Sequence, residues 1–209
     1  MLDGVEVIGI LRGISPGLFP GVMAASFAAG LMAIEVTMNT PGAEEIVRRA
    51  RPQVPEGRLL GMGTIRDLAE ARRAVAAGAM FLVSPNFDPQ VIAYAKSQAV
   101  PIVVGALTPT EVYAAWKTGA AMVKVFPCAP LGPGYLRELL GPFDHLPLVA
   151  VGGVTAANVE EYFAAGAAAV GVGASLFGKE ALASGDLAAV EANVADFLRR
   201  CPGRRAGEG

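Results

Sequence analysis

Two charged residues occupy positions that a packed core would reject. Lys124 lies inside Met-Val-Lys-Val-Phe (122–126) and Glu35 inside Ala-Ile-Glu-Val-Thr (33–37), both short apolar runs of the kind that form fully buried strands. Lys and Glu are almost never fully buried unless paired. The chain has only four lysines, and the other three (Lys96, Lys117 and Lys179) fall on helices or loops. A lysine in apolar surroundings has its charged form disfavoured, so a neutral amine becomes accessible near neutral pH. Such an amine can attack a ketone and form a Schiff base, whose protonated iminium accepts the electron pair when a neighbouring C–C bond breaks. A nearby carboxyl such as Glu35 can move protons among carbinolamine, water and substrate hydroxyl. This chemistry calls for no cofactor and no metal. The competing reading is a structural buried ion pair, which often contributes little stability; a desolvated lysine with a specific charge partner is also a functional signature.

The elements that position these two residues follow from a weak internal repeat. Ala28-Ala29-Gly30-Leu31 precedes AIEVT, Ala76-Ala77-Gly78-Ala79 precedes MFLVS, Lys117-Thr118-Gly119-Ala120 precedes AMVKV, and Ala164-Ala165-Gly166-Ala167 precedes AAVGV. Each reads as the end of a helix, a glycine at the left-handed position that closes it, and then a strand. Extending the pattern predicts eight strands: Val5–Leu11, Ala33–Thr37, Leu59–Thr64, Met80–Ser84, Pro101–Ala106, Met122–Phe126, Leu148–Gly152 and Ala169–Gly173. Helix start signals fall at Asp67, Asp88, Thr108 and Thr155. Proline follows Asp88 and Thr108, and Thr108-Pro109-Thr110-Glu111 has capping-box form. Strands alternating with helices imply parallel pairing with right-handed crossovers. A doubly wound sheet would normally carry GxGxxG after its first strand; Gly61-Met62-Gly63 has two of the three glycines and follows the third. The predicted fold is therefore α/β, a single (β/α)₈ TIM barrel over residues 1–200, with a loose tail over 201–209.

In such a barrel, catalytic groups gather at the C-terminal ends of the strands. Strands two and six are both even-numbered, so Glu35 and Lys124 can share an interior layer and face each other across it. Gly152-Gly153-Val154-Thr155 after strand seven and Gly173-Ala174-Ser175 after strand eight stand where barrels frequently bind phosphate on backbone N–H groups. Arg12, ending strand one, is either a carboxylate clamp or a solvated loop residue. Thr64 either offers its hydroxyl to a ligand or closes a turn. Cys128 lacks an adjacent histidine and reads as an ordinary thiol, His145 belongs to the opposite, stabilising end, and Trp116 packs on the fifth helix.

Composition narrows the classes. The 209 residues are 53% hydrophobic and 17% charged, with 17 Lys+Arg against 19 Asp+Glu, which leaves no basic footprint for nucleic acid. Mean hydropathy is +0.47. Residues 13–34 carry no charge, but Pro16, Pro20 and four glycines break them, so no membrane span is expected. Two distant cysteines and one histidine match no metal spacing, and Asp3 and Glu6 are the wrong sign for a secretory leader. A cytoplasmic protein is expected.

Several ordered segments around the lysine and glutamate resemble the class I 2-keto-3-deoxy-6-phospho-sugar-acid aldolases: ILRGISP (10–16), IEVTMNTPG (34–42), GMGTI (61–65), VSPN (83–86), GALTPTEV (105–112), VKVFPCAPLGP (123–133), VGGVTAANV (151–159) and VGVGASLF (170–177). The resemblance implies Lys124 as the Schiff-base lysine, Glu35 as general acid/base and Thr64 against the pyruvate portion. Phosphate would be held by Gly152, Gly153, Gly173, Ala174 and Ser175. It also implies a homotrimer that reversibly cleaves a phosphorylated keto sugar acid to pyruvate and glyceraldehyde 3-phosphate. The phosphogluconate branch commonly has arginine where this chain has Asn39, and threonine where it has Val151. Those two residues and the Ile-Leu-Arg-Gly segment look closer to the phosphogalactonate branch, with Arg12 as carboxylate ligand. The alternatives are the gluconate isomer, 4-hydroxy-2-oxoglutarate, and, in another class, a phosphate-binding isomerase or synthase that uses no covalent lysine.

Overall fold

The computed structural model describes residues 2–205. Eight strands follow one another around a closed, all-parallel barrel: β1 (Val7–Leu11), β2 (Ala33–Thr37), β3 (Leu59–Gly63), β4 (Leu82–Val83), β5 (Ile102–Ala106), β6 (Met122–Val125), β7 (Leu148–Val151) and β8 (Ala169–Val172). Helices α1 (Phe19–Ala28), α2 (Ala43–Ala50), α3 (Leu68–Ala76), α4 (Pro89–Ser97), α5 (Pro109–Thr118), α6 (Gly132–Leu140) and α7 (Val159–Ala164) return the chain between strands. After β8 come α8 (Ala174–Phe177), α9 (Lys179–Ser184), α10 (Leu187–Leu198) and α11 (Pro202–Arg205). No helix among the described residues is long and apolar enough to cross a membrane.

All eight predicted strands are present, most of them trimmed by one or two residues. The fourth is the shortest, because Pro85 and Pro101 remove donors beside it. Its hydrogen bonds nevertheless run from Met80 N–H to Leu60 O through Ser84 N–H to Val103 O, the span expected for it. The repeated glycines behave as read. Gly30, Gly78, Gly119 and Gly166 all have φ between 96° and 109°. Each donates to the carbonyl three residues back, and the next residue donates to the carbonyl five back, as in Gly166 N–H to Phe163 O and Ala167 N–H to Tyr162 O. One Schellman motif, used four times, turns a helix into the following strand.

Asp67, Asp88 and Thr108 cap α3, α4 and α5, the last as a full capping box with Glu111. The fourth start signal, Thr155, lies one turn ahead of the regular helix. The Asn158 side chain accepts the Thr155 N–H, as in half of a capping box, the Thr155 carbonyl accepts the Asn158 and Val159 N–H groups, and α7 proper runs from Val159. Residues 201–205, expected to belong to a loose tail, are part of the fold. Cys201 is fully buried, the Gly203 N–H donates to Glu6 Oε1, and α11 continues to Arg205. The remainder of that tail, 206–209, lies outside the described residues.

The barrel interior explains how two charges are placed. Carrying the strand register once around the ring returns eight residues out of step, the shear that closes an eight-stranded barrel. With that stagger, the even strands contribute Ala33, Phe81, Met122 and Ala169 to one interior level, all members of a single buried cluster. Two residues further along, on the same faces, come Glu35, Val83, Lys124 and Gly171. Glycines on neighbouring strands make room: a Cβ on Gly61 would lie 2.6 Å from Phe81, and one on Gly63 would overlap the Glu35 carboxyl.

Gly166→Ala tests the repeated motif. A Cβ at φ 96° is strained, so the variant is expected to lose about 1–2 kcal/mol in urea denaturation with an unchanged m value. An unaltered midpoint would show that the left-handed turn is not required.

Candidate active site

Glu35 is 1% exposed and Lys124 7% exposed, so the two unexpected charges do point inward. Neither forms a direct ion pair with the other, and Glu35 Oε2 is buried without a hydrogen-bond partner. Burial pushes the Glu35 carboxyl up to about 7, against the pull of Lys124 and Arg12. Burial likewise holds the Lys124 ammonium below its ordinary value; Glu35 opposes that shift and Arg12 adds to it. Both groups are thus drawn toward their neutral forms, the condition for amine attack and for proton transfer by one carboxyl. Lys124 Nζ also lies 4.8 Å from the centroid of the Phe126 ring, two residues along the same face.

Above this level sits a cavity of about 510 Å³. It gathers Arg12 from the end of β1, Gly152, Gly153, Val154 and Thr155 from the end of β7, and Gly173, Ala174 and Ser175 from the end of β8. Interior residues Ile10, Val151 and Gly171 also line it, so it adjoins the level that holds Glu35 and Lys124. Gly152 and Gly153 have φ of 100° and 76°, and a Cβ on Gly153 would come within 2.8 Å of the Ala129 side chain. Glycine is therefore required there by both conformation and space. Ser175 Oγ donates to Val154 O at 3.1 Å, tying the two small-residue turns together.

Arg12 is exposed yet held. Its Nη1 donates to Asn39 Oδ1 at 2.8 Å and its Nη2 to Thr64 Oγ1 at 3.4 Å, so the loops after β2 and β3 both grip the guanidinium. Thr64 has φ 59°, costly for a β-branched residue and of the sort found at functional sites. That turn aims its hydroxyl at Arg12. Under this corner, Thr40 Oγ1 accepts the Gly13 N–H at 2.9 Å and bonds Thr37 Oγ1 at 3.0 Å, fixing the β1 and β2 loops to each other.

Every candidate residue thus belongs to one end of the barrel, on two levels: Glu35 and Lys124 below, the remainder at the rim. Cys128 is buried, donates to Val125 O, and has its thiol pushed up by burial, as befits an unreactive thiol. His145 packs edge-on against Trp116, between α6 and β7 and away from the site. Sequence reasoning missed two features. Gly171 keeps the fourth corner of the charged level free of a side chain, and its two-residue spacing from Ala169 carried that signal. Lys179, set aside as a helix residue, lines the cavity.

Residues 19–193 match the family model described as "Aldolase: KDPG and KHG aldolase". The chain belongs to that aldolase family. It is similar to the "Probable 2-dehydro-3-deoxy-6-phosphogalactonate aldolase" of Rhizobium meliloti (strain 1021), at 37% identity over 87% of this chain and 85% of the relative. The 2-dehydro-3-deoxy-phosphogluconate aldolase of Treponema pallidum is 34% identical over 80% of each chain. Among solved structures, one described as "Native KDPGal structure" superposes with a TM-score of 0.88 at 28% identity, covering 99% of this chain and 98% of the other. The KDPG aldolase of Legionella pneumophila, captured with pyruvate as a covalent carbinolamine, superposes at 0.86 with 25% identity, covering 93% of this chain and 94% of that one. The protein is therefore a carbon–carbon lyase on a TIM barrel.

The raised pKa of the aldolase's buried carboxyl sets a stability test. Glu35 titrates near 7 when folded but near 4.5 when unfolded, so between those values the folded state keeps a proton the unfolded state has released. Stability must fall as pH rises through that window, by about 3 kcal/mol in all. Glu35→Gln removes the ionisation, so its stability relative to wild type is expected to grow by about that much between pH 5 and pH 8 in urea titrations. A difference that stays flat across this range would contradict the burial argument.

Proposed function

We propose that this aldolase cleaves 2-dehydro-3-deoxy-6-phosphogalactonate to pyruvate and glyceraldehyde 3-phosphate through a Schiff base on Lys124. The observation that carries the reading is the inward-facing, desolvated Lys124 sharing one barrel level with Glu35. In the proposed sequence, the neutral Lys124 amine adds to the C2 ketone to give a carbinolamine. Protonated Glu35 gives its proton to the departing hydroxyl, water leaves, and an iminium remains. The Glu35 carboxylate then takes the proton of the C4 hydroxyl. The C3–C4 bond breaks, its electron pair flows into the iminium to form an enamine, and the aldehyde departs with the phosphate. Proton return to C3 and hydrolysis release pyruvate and free Lys124.

Arg12, held by Asn39 and Thr64, takes the substrate carboxylate; Gly152, Gly153, Gly173, Ala174 and Ser175 take the phosphate. Two things favour galactonate as the stereoisomer: the similarity to the Rhizobium relative, and the Arg12–Asn39 hydrogen bond in place of an arginine at position 39. The same proposal includes a homotrimer and a cytoplasmic setting, the latter in keeping with the buried Cys128 thiol.

Borohydride trapping in the presence of pyruvate is the direct test. A reduced pyruvate adduct is expected on the Lys124 peptide, with Lys124→Ala losing at least about a thousandfold in kcat. An unmodified Lys124 peptide, together with turnover retained in Lys124→Ala, would replace this mechanism with a non-covalent one. The stereochemical reading stands on a separate measurement: kcat/KM for the galactonate substrate should exceed that for the gluconate epimer by about tenfold or more. Equal values would leave the enzyme indifferent at C4.

A further inference from the structure

We infer that Lys179 is a specificity-determining residue that reads the charge of the substrate's phosphate. This rests on the phosphorylated-substrate reading above and adds a residue to it. The cavity at the rim is lined by two cations, Arg12 and Lys179, and by no carboxylate. Four other cavities each contain at least one acidic residue: Glu6; Asp3 with Glu6; Glu180 with Asp186; and Glu160; Lys179, itself exposed, lines both the rim cavity and the neighbouring one that holds Glu180 and Asp186. A ligand with an anionic group at each end is the natural occupant of a cavity charged in this way. Arg12 is committed by its bonds to Asn39 and Thr64, on the side of β1, β2 and β3. Lys179 follows α8 beyond β8, on the other side of β1 from β2 and β3, beside the Gly173, Ala174 and Ser175 segment to which the proposed function assigns the phosphate.

Local structure places this lysine for binding and gives it no structural task. Among the described residues it forms no ion pair, as is also true of Lys96, Lys117 and Arg137, so its ammonium is available to a ligand and it is the cavity wall that distinguishes it. It opens α9, where a cation opposes the helix dipole, so the position does not favour the helix it belongs to. The chain is nonetheless fixed at this point. Asn193 on α10 donates to Phe177 O at 3.0 Å and fills the space a Cβ on Gly178 would need. That clamp, with Gly178 at φ 83°, sets the joint between α8 and α9 and keeps Lys179 at the cavity wall. A flexible ammonium there supplies a charge-assisted bond to a phosphate that the neighbouring backbone N–H groups orient.

The test compares kcat/KM for 2-dehydro-3-deoxy-6-phosphogalactonate with that for its dephosphorylated counterpart, in wild type, Lys179→Gln and Lys179→Arg. The preference for the phosphorylated substrate is expected to fall about tenfold in Lys179→Gln, carried by KM, and to return in Lys179→Arg, which keeps the charge. A wild-type preference that survives intact in Lys179→Gln overturns the assignment of Lys179 alone. A wild type that does not discriminate between the two substrates overturns the phosphate reading itself, and this inference with it.

Discussion

The structure turns on the removal of one lysine and one glutamate from water into the same level of a closed barrel. Desolvation acts on both in the direction of neutrality, raising the acid and lowering the base, while their mutual attraction acts in reverse. Neither effect is allowed to win outright. A direct, well-bonded ion pair would have locked Lys124 as an ammonium, a form the proposed mechanism could not use as a nucleophile. The orphaned Glu35 Oε2 is the structural trace of that restraint. A folded chain tolerates such a cost only where the surroundings over-determine it, and here the eight-stranded closure does so: neither strand can rotate without breaking the register on both sides.

Space for the pair comes from glycine, used in two different ways. Gly63 on β3 gives way to the Glu35 carboxyl, and Gly61 to Phe81, so these positions are filled by a neighbour's side chain. Gly171 on β8 instead leaves the fourth corner of the charged level without a side chain, and a Cβ there would press on Val151 and Ile10, which line the cavity above. Packing density is thus kept high below the pair and relaxed beside it. The result is a stable base and an open mouth within about two residues of strand.

Much of this was legible in the sequence because each level of description pointed the same way. Four glycine-closed helix ends, proline-led helix starts and eight apolar runs admit few topologies, and two charges inside two of those runs single themselves out. What could not be read were the features set by tertiary neighbours. Thr155 has the form of a helix cap and does receive the Asn158 side chain on its N–H, but regular helical bonding is set up only from Val159 onward. Cys201 looked like the start of a polar tail until burial beneath the barrel and the Gly203–Glu6 bond made it part of the fold. Lys179 was invisible for a related reason: nothing in its own helix marks it, and only the folded cavity shared by β1, β7 and β8 brings it to the same wall as Arg12.

Arg12 connects the two levels. Unoccupied by an anion, its positive charge lowers Lys124 further and so favours the neutral amine before any ligand arrives. In the proposed mechanism, a substrate carboxylate seated on Arg12 would cancel that charge at short range, and the nitrogen on β6 would then no longer be penalised by a neighbouring cation. Formation of a positively charged iminium would become easier at the step that needs it, with the Glu35 charge favouring it by attraction. Under the proposed roles, the arginine does more than position one end of the substrate. It biases the lysine toward the form that attacks when the site is empty, and toward the form that accepts electrons once the site is filled.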